Sequence, residues 1–105
     1  MSLDFDITER REGDRVRVSV QGELDYGSSR LLEERLNRLR AESVPVQLDL
    51  SRVELIDSAG VSVLVRALNR SRGSDWKLEV ERDLPRFIAR RFHYLGLDYL
   101  LDRQP

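Results

Sequence analysis

The sequence predicts an α/β (mixed α+β) domain, in which a mixed β-sheet of four to five strands carries three to four helices packed mainly on one face. Three observations lead to this prediction. Apolar and polar residues alternate in short runs, as they do in strands with one buried face. Other segments repeat apolar residues every three or four positions, as in amphipathic helices. Strands and helices alternate along most of the chain, which is typical of parallel strands joined by right-handed crossovers.

The chain opens with a predicted β-hairpin. Residues 4–9 and 15–21 each alternate between apolar and polar side chains. Residues 12–14, Glu-Gly-Asp, lie between the two runs and carry a turn signal. The second strand is expected to stop at Gly22, so the hairpin supplies the antiparallel part of the sheet.

The first predicted helix follows the hairpin and leads into another strand. Ser28 or Ser29 can cap its N-terminus through a side-chain oxygen. Leucines at helical spacing form its apolar stripe, and Val44-Pro45 ends it. The next strand alternates over residues 46–50, and residues 53–56 carry the apolar pattern onward.

Two further helices complete the predicted order. Residues 60–72 have helical periodicity, and residues 76–80 alternate as a strand. Asp83 followed by Pro85 is typical of an N-cap and a first-turn proline. The apolar tail at residues 97–101 is predicted to be either a last helical turn or an edge strand.

The bulk composition fits one domain over residues 1–105, with an ordered core at about 4–101. Charged residues make up 35% of the chain and the formal net charge is -1, so a nucleic-acid-binding protein is not indicated. The absence of cysteine excludes disulfides and thiolate metal sites. No apolar run is long enough for membrane insertion, and we expect a cytoplasmic protein.

One segment stands out, because Asp57 and Ser58 follow a strand and come just before a helix. Ser58 therefore lies at or near the helix N-cap. One interpretation is a simple cap worth about 1 kcal/mol. The other is a hydroxyl presented for phosphorylation, since free N–H groups and the helix dipole at a helix N-terminus tolerate an anion. Asp25, at the end of the second strand, lies in a similar context. The two aspartates are expected at one sheet edge, where they would form one joint surface.

The sequence carries no motif for catalysis, and we expect a protein that is not an enzyme and holds no cofactor or metal. Neither glycine-rich phosphate-binding pattern occurs. Ser58 lacks the G-x-S-x-G context of a hydrolase nucleophile, and His93 is the only histidine. A magnesium pocket formed by Asp25, Asp49 and Asp57 is disfavoured, because Asp49 alternates with leucines on a strand.

Three stretches resemble the STAS domain, the sulfate transporter and anti-sigma factor antagonist family. They are residues 22–25, 48–61 and 95–97, and they occur in the order found in the family. The middle stretch is the specific one, since it contains the Leu-Ile-Asp-Ser-Ala-Gly sequence at residues 55–60. The resemblance covers nearly the whole chain and implies a mixed β-sheet with helices on one side.

The resemblance implies an anti-sigma factor antagonist, which is a partner-switching regulator of transcription in bacteria. When unphosphorylated, such a domain binds an anti-sigma factor serine kinase. The kinase, which holds the ATP and magnesium, phosphorylates the serine after the motif aspartate, and a serine phosphatase reverses the step. Ser58 is then the phospho-acceptor, in a monomer or weak homodimer. The expected partner-binding residues are Asp25, Tyr26, Ser28, Asp57, Ser58, Ala59, Gly60 and Val61.

Two positions depart from the anti-sigma antagonist pattern. Ala59 replaces a second serine or threonine, and Ser62 stands where glycine is frequent. Alanine after the motif serine or threonine also resembles the STAS accessory subunit of bacterial lipid-transport ABC systems, in which the domain supports the ATPase and no phosphorylation switch is needed. This subunit is the alternative function. A stressosome-type scaffold is a third, and it usually requires an attached sensor or a large assembly.

Overall fold

The computed structural model describes residues 5–101, and within them four strands form one mixed sheet accompanied by four helices. The predicted fold class is confirmed. The predicted strand start at Asp4 and both ends of the predicted 1–105 domain lie outside the described residues. The elements are β1 (Phe5–Glu12), β2 (Arg15–Leu24), α1 (Tyr26–Ala41), β3 (Val46–Ile56), α2 (Ser58–Arg72), β4 (Leu78–Val80), α3 (Arg86–Tyr94) and α4 (Asp98–Leu101).

The strands lie in the order β1-β2-β3-β4. β1 pairs antiparallel with β2 along its whole length, whereas β2–β3 and β3–β4 are parallel. The β2–β3 register shifts twice, between Ser19 and Gln21 and again between Gly22 and Glu23. These shifts let both strands continue to a common edge, where Leu24 pairs with Ile56. β2 therefore extends beyond Gly22, where the sequence predicted its end, and β3 is one continuous strand.

The hydrophobic core lies between the helices and one face of the sheet. β2 and β3 alternate between buried and half-exposed residues, and α1 and α2 contribute the buried stripes predicted from their periodicity. Burying each large aliphatic or aromatic side chain contributes about 1.5–3 kcal/mol. The most completely buried include Val18, Leu24, Leu32, Leu48, Leu50, Leu64, Ile88 and Phe92. The opposite face of the sheet is polar and carries Arg17, Ser19 and Asp49.

The N-terminus of α1 differs from the prediction. Asp25, in an extended conformation, is the N-cap, and its side chain accepts a hydrogen bond from the Ser28 N–H. The prediction of Ser28 or Ser29 as the cap was wrong, because β2 runs on to Leu24 and the helix starts directly after Asp25. Ser29 is instead buried, and its hydroxyl donates to the Tyr26 carbonyl at 3.1 Å.

The C-terminal part of the chain also corrects several boundaries. Pro85 occupies the N-cap position of α3 and no side chain caps that helix, so the prediction of Asp83 as the cap was wrong. β4 is shorter than the predicted strand at 76–80, since Trp76 turns inward and its indole N–H donates to the Val44 carbonyl at 2.7 Å. The tail at 97–101 ends as the short helix α4 rather than as an edge strand.

Candidate functional site

Two helix N-termini meet at one edge of the sheet. β2 ends at Leu24 and β3 ends at Ile56, and these two residues are register partners on neighbouring strands. Each strand is followed by an aspartate in extended backbone that caps the next helix, Asp25 for α1 and Asp57 for α2. The sheet therefore places the first turns of α1 and α2 beside each other, as the sequence predicted for the two aspartates.

The α1 N-terminus is closed by a capping box. Asp25 Oδ1 accepts from the Ser28 N–H at 3.0 Å, and Ser28 Oγ accepts from the Asp25 N–H at 2.9 Å. Ser28 Oγ also donates to the Glu23 carbonyl at 2.6 Å. The backbone and side-chain hydrogen bonds from Ser28 hold the pKa of Asp25 below its ordinary value. The Ser28 hydroxyl is therefore fully occupied in local structure.

Asp57 links the two helices. Its Oδ1 accepts from the Gly60 N–H at 3.0 Å, which caps α2. Its Oδ2 accepts from the Tyr26 N–H at 3.1 Å, which is the first residue of α1. One carboxylate thus satisfies N–H groups that would otherwise lack partners at both helix N-termini. A backbone hydrogen bond from the Asp57 N–H to the Leu24 carbonyl, 3.2 Å long, fixes the same junction.

Ser58 is the first residue of α2 and is exposed. Because Asp57 is the N-cap, the interpretation of Ser58 as a simple cap is wrong. Within residues 5–101, no hydrogen bond occupies the Ser58 hydroxyl. The side chain therefore stands free at a helix N-terminus, where the dipole and the unpaired N–H groups of the first turn favour an added negative charge.

Gly60 lets α2 pack closely against the end of β2. A Cβ atom at this position would collide with the Leu24 carbonyl oxygen and come within 2.8 Å of Ile56 Cγ1. Gly60 and Val61 are both buried, whereas Ala59 is half-buried. The expected partner-binding residues therefore divide into two groups. Gly60 and Val61 are buried beneath the surface. The residues that are at least partly exposed on it are Asp25, Tyr26, Ser28, Asp57, Ser58 and Ala59.

Exposed apolar side chains surround the two helix starts. Tyr26 is 71% exposed, Leu31 51% and Leu55 47%. Tyr26 and Leu31 also line a groove with Phe5 beside Asp25. Neither Leu31 nor Leu55 was predicted at the site, because an apolar residue in a regular pattern is usually assigned to the core. The signal was present for Leu31, which lies beside the stripe of buried leucines rather than on it.

The remaining polar groups do not form a second centre at this edge. Asp49 lies on the open sheet face, where Ser51 Oγ donates to it at 2.7 Å. Burial acts to raise the pKa of Asp49, but hydrogen bonds from Ser51 and the nearby Arg17 charge hold it below its ordinary value. Across residues 5–101 no group of His, Asp and Glu side chains could hold a metal ion. In the same range, no helix combines the length and apolarity needed to cross a membrane.

Comparison with protein families gives one match that spans most of the chain. The family model described as "Mlab, STAS domain" matches residues 7–102. Among curated proteins, the anti-sigma-B factor antagonist of Bacillus subtilis (strain 168) is 29% identical over 104 residues, which covers 97% of this chain and 91% of the relative. The resemblance predicted from the sequence is confirmed.

Solved structures agree with this assignment. A crystal structure of an anti-sigma factor antagonist from Mycobacterium paratuberculosis is 27% identical, has a TM-score of 0.76, and aligns over 96% of this chain and 86% of that chain. The anti-sigma factor antagonist SpoIIAA in its unphosphorylated form shares the fold, with a TM-score of 0.75 at 14% identity over 95% of this chain and 89% of that chain. The Bacillus subtilis relative and the Mycobacterium paratuberculosis structure are both anti-sigma factor antagonists, which are regulatory proteins. This chain belongs to the STAS domain family.

Proposed function

We propose that the protein is an anti-sigma factor antagonist that binds an anti-sigma serine kinase while Ser58 is unphosphorylated. The observation that supports this most is the free, exposed hydroxyl of Ser58 beside two helix N-termini joined by Asp57. The contrast with Ser28, whose hydroxyl is engaged in a capping box, makes Ser58 the better acceptor at this edge. A role in regulating transcription places the protein in the bacterial cytoplasm.

The proposed phosphorylation needs only the hydroxyl from this chain. Ser58 Oγ attacks the γ-phosphorus of ATP held by the kinase, the bond to the ADP leaving group breaks, and the serine proton passes to a base on the kinase. ATP and magnesium belong to the kinase, so this chain binds no cofactor of its own. A serine phosphatase restores the free hydroxyl by hydrolysis.

Exposed apolar side chains supply the proposed docking surface. Tyr26, Leu31 and Leu55 are large and exposed. Tyr26 and Leu31 line one groove with Asp57, the chain neighbour of Ser58, and Leu55 lies three residues before Ser58. Protein interfaces draw most of their affinity from a few such aromatic and aliphatic anchors near their centre. The unphosphorylated serine contributes little bulk and no charge, so it permits close contact between this surface and the kinase.

Phosphorylation would weaken that contact through local charge. A phosphoserine adds about -1.5 to -2 charges at neutral pH. The neighbouring Asp57 carboxylate already accepts the Gly60 N–H, so this backbone donor is not free to neutralise the phosphate. The dianion would then have to be desolvated against the partner. A loss of about 3 kcal/mol lowers affinity more than a hundredfold, which is enough to exchange one partner for another.

A STAS accessory subunit of a lipid-transport ABC system is the second candidate, and Ala59 favours it. Alanine at this position removes the second hydroxyl of the anti-sigma antagonist pattern and is half-buried in the first turn of α2. In this role the same edge of the sheet would contact a transporter ATPase. Phosphorylation of Ser58 would not be needed for that contact.

Phosphotransfer from a candidate anti-sigma kinase and ATP tests the proposal. The wild-type chain should gain one phosphate, Ser58→Ala should gain none, and Ser62→Ala should be phosphorylated normally. Ser62 is a matched control because it is exposed one turn further along α2. Phosphorylation that persists in Ser58→Ala would show that the site is wrong. Recovery of a transporter ATPase with wild type and Ser58→Asp alike would favour the second candidate.

A further inference from the structure

β1 is a long edge strand with an open side. Its eight residues pair with β2 without a register shift. In the part of the chain that the structure describes, no strand lies on its other side. The opposite edge of the sheet, β4, has only three residues. An uninterrupted edge of this length presents unpaired N–H and C=O groups that can pair with another strand.

The side chains of β1 differ between its two faces. On the helix-covered face, Glu9 is held by Arg35 and Arg38 of α1. On the open face, Asp6 and Arg10 are exposed and flank Thr8. Neither Asp6 nor Arg10 makes an ion pair within residues 5–101. The open face of β1 thus offers an acid and a base placed symmetrically about Thr8, with no partner on their own sheet.

Symmetry limits how a second copy can pair with this edge. Two antiparallel copies related by a two-fold axis form an isologous contact, in which residue i faces j and j faces i. Directly opposed residues also point to the same face of the sheet. The axis must therefore pass through a residue that faces its own copy. Near the middle of β1 that residue is Ile7, Thr8, Glu9 or Arg10.

The charges of β1 select one of these arrangements. An axis at Thr8 places Asp6 opposite Arg10 of the second copy, twice by symmetry. An axis at Glu9 or Arg10 places like charges directly opposite each other, which is destabilising. An axis at Ile7 forms no ion pair among residues 5–12 and shortens the overlap of the two strands. Only the Thr8 arrangement combines long overlap with two opposite-charge pairs.

We propose that β1 pairs with β1 of a second copy about Thr8, which gives a homodimer with one continuous eight-stranded sheet. On the helix-covered face, this axis places the half-buried Ile7 opposite Glu9 and the half-buried Phe5 opposite Arg11 of the second copy, whose aliphatic stem can cover the Phe5 ring. Asp25 and Asp57 lie near the Phe5 end of β1, because Phe5 pairs with Gly22 close to the end of β2. The two copies run antiparallel, so their Ser58 sites lie at opposite ends of the dimer and both stay accessible.

The contact is small, so the dimer should depend on concentration. Stable interfaces bury about 1,200–2,000 Å² in total, and a single pair of edge strands is at or below the lower end. Sedimentation equilibrium over rising protein concentration should show a transition from the 12.3 kDa chain to twice that mass. A single 12.3 kDa species at every concentration would overturn the proposal.

Charge reversal tests the assigned pairs. Asp6→Arg and Arg10→Asp each convert two attractive pairs into two repulsive ones and should weaken association at least about tenfold. The double variant D6R/R10D restores opposite charges and should dimerise like wild type. Arg82→Asp is the matched control, because Arg82 is exposed, makes no ion pair within residues 5–101 and lies far along the chain from β1. A dimer that tolerates both single reversals uses another surface.

The register has a separate test that does not depend on affinity. Since the chain has no cysteine, a single introduced cysteine reports one position only. Thr8→Cys faces its own copy in the proposed dimer and should form a disulfide-linked dimer on mild oxidation, because directly opposed Cβ atoms lie about 4.5–5.5 Å apart. Arg10→Cys faces Asp6 and should cross-link at least about tenfold more slowly. Faster cross-linking at residue 10 than at residue 8 would overturn the register.

Discussion

The helices α1 and α2 start in nearly the same way, yet their first turns leave different groups free. Each begins after an aspartate that directly follows a strand and accepts a hydrogen bond from the backbone N–H three residues further on. In α1 that third residue is Ser28, whose hydroxyl oxygen accepts a hydrogen bond from the Asp25 N–H. In α2 it is Gly60, which has no side chain to do so. The Asp57 N–H donates to the Leu24 carbonyl instead, and the second carboxylate oxygen of Asp57 accepts from the Tyr26 N–H of α1.

This difference shows how the position of a serine relative to the cap decides what it does. Ser28 stands three residues after its aspartate and is part of the local structure. Ser58 stands one residue after its aspartate, where it is exposed and its hydroxyl makes no hydrogen bond within residues 5–101. A serine at the first position of a capped helix thus keeps its hydroxyl available for phosphorylation. A serine at the third position uses its hydroxyl in the capping box and stabilises the fold.

The largest expected change in stability distinguishes the two glycines in the first turns of α1 and α2, Gly27 and Gly60. Gly60→Ala should destabilise the protein by about 3 kcal/mol, because the new Cβ collides with the Leu24 carbonyl and Ile56. Gly27→Ala is the matched control in α1, where a Cβ would lie 3.8 Å from Asp25 Oδ1 in ordinary contact. It should be neutral or stabilise by up to about 1 kcal/mol, since alanine favours helix. Urea unfolding of both variants gives the comparison, and equal effects would contradict the close approach at α2.

The next effect tests the bridge between the helices. Asp57→Ala removes acceptors for the Gly60 and Tyr26 N–H groups and should destabilise the protein by about 2 kcal/mol. Hydrogen exchange should also speed up at the Tyr26 amide, although Asp25 still caps α1. If hydrogen exchange in Asp57→Ala became faster only at the α2 amides, Asp57 would not join the two helices.

A smaller effect compares the two serines directly. Ser28→Ala should cost about 1 kcal/mol, because it removes the return bond to Asp25 and the bond to the Glu23 carbonyl. Ser58→Ala should change the unfolding free energy by less than about 0.5 kcal/mol, as expected for an exposed side chain with no partner. Both values come from the same urea titration. If Ser58→Ala proved as costly as Ser28→Ala, the hydroxyl of Ser58 would have a structural role after all.

Much of this fold follows from local pattern. Element order and the buried faces of the helices could be predicted, because periodicity reports which side of a segment meets the core. The cap of α1 could not, because it depends on where β2 ends. The two register shifts in β2–β3 carry β2 on to Leu24, and this makes Asp25 the first residue available as a cap. That information lies in the pairing of strands distant in sequence.

The candidate site was likewise predicted in part. The sequence placed Asp25 and Asp57 at one sheet edge, because both follow strands of a largely parallel sheet. The hydrogen bond between Asp57 and the Tyr26 N–H joins residues far apart in the chain, and no local pattern encodes it. The exposure of Leu31 and Leu55 was also missed. An apolar residue is usually assigned to the core, and only the packed structure shows which ones face solvent.

The smallest effect is a pH dependence that belongs to α1. Hydrogen bonds from Ser28 favour the ionised form of Asp25, so its pKa in the folded protein lies below the ordinary value of 3.8. The resulting stabilisation is complete above that ordinary pKa, and it is lost as the pH falls through the lower pKa of the folded state. Asp25→Asn keeps a capping oxygen but cannot titrate. Urea unfolding from neutral pH to about pH 3 should therefore show wild type losing its advantage over Asp25→Asn only below about pH 4. A constant difference over the whole range would mean that the capping box does not depend on the charge of Asp25, and that the two helix starts differ only in which serine is free.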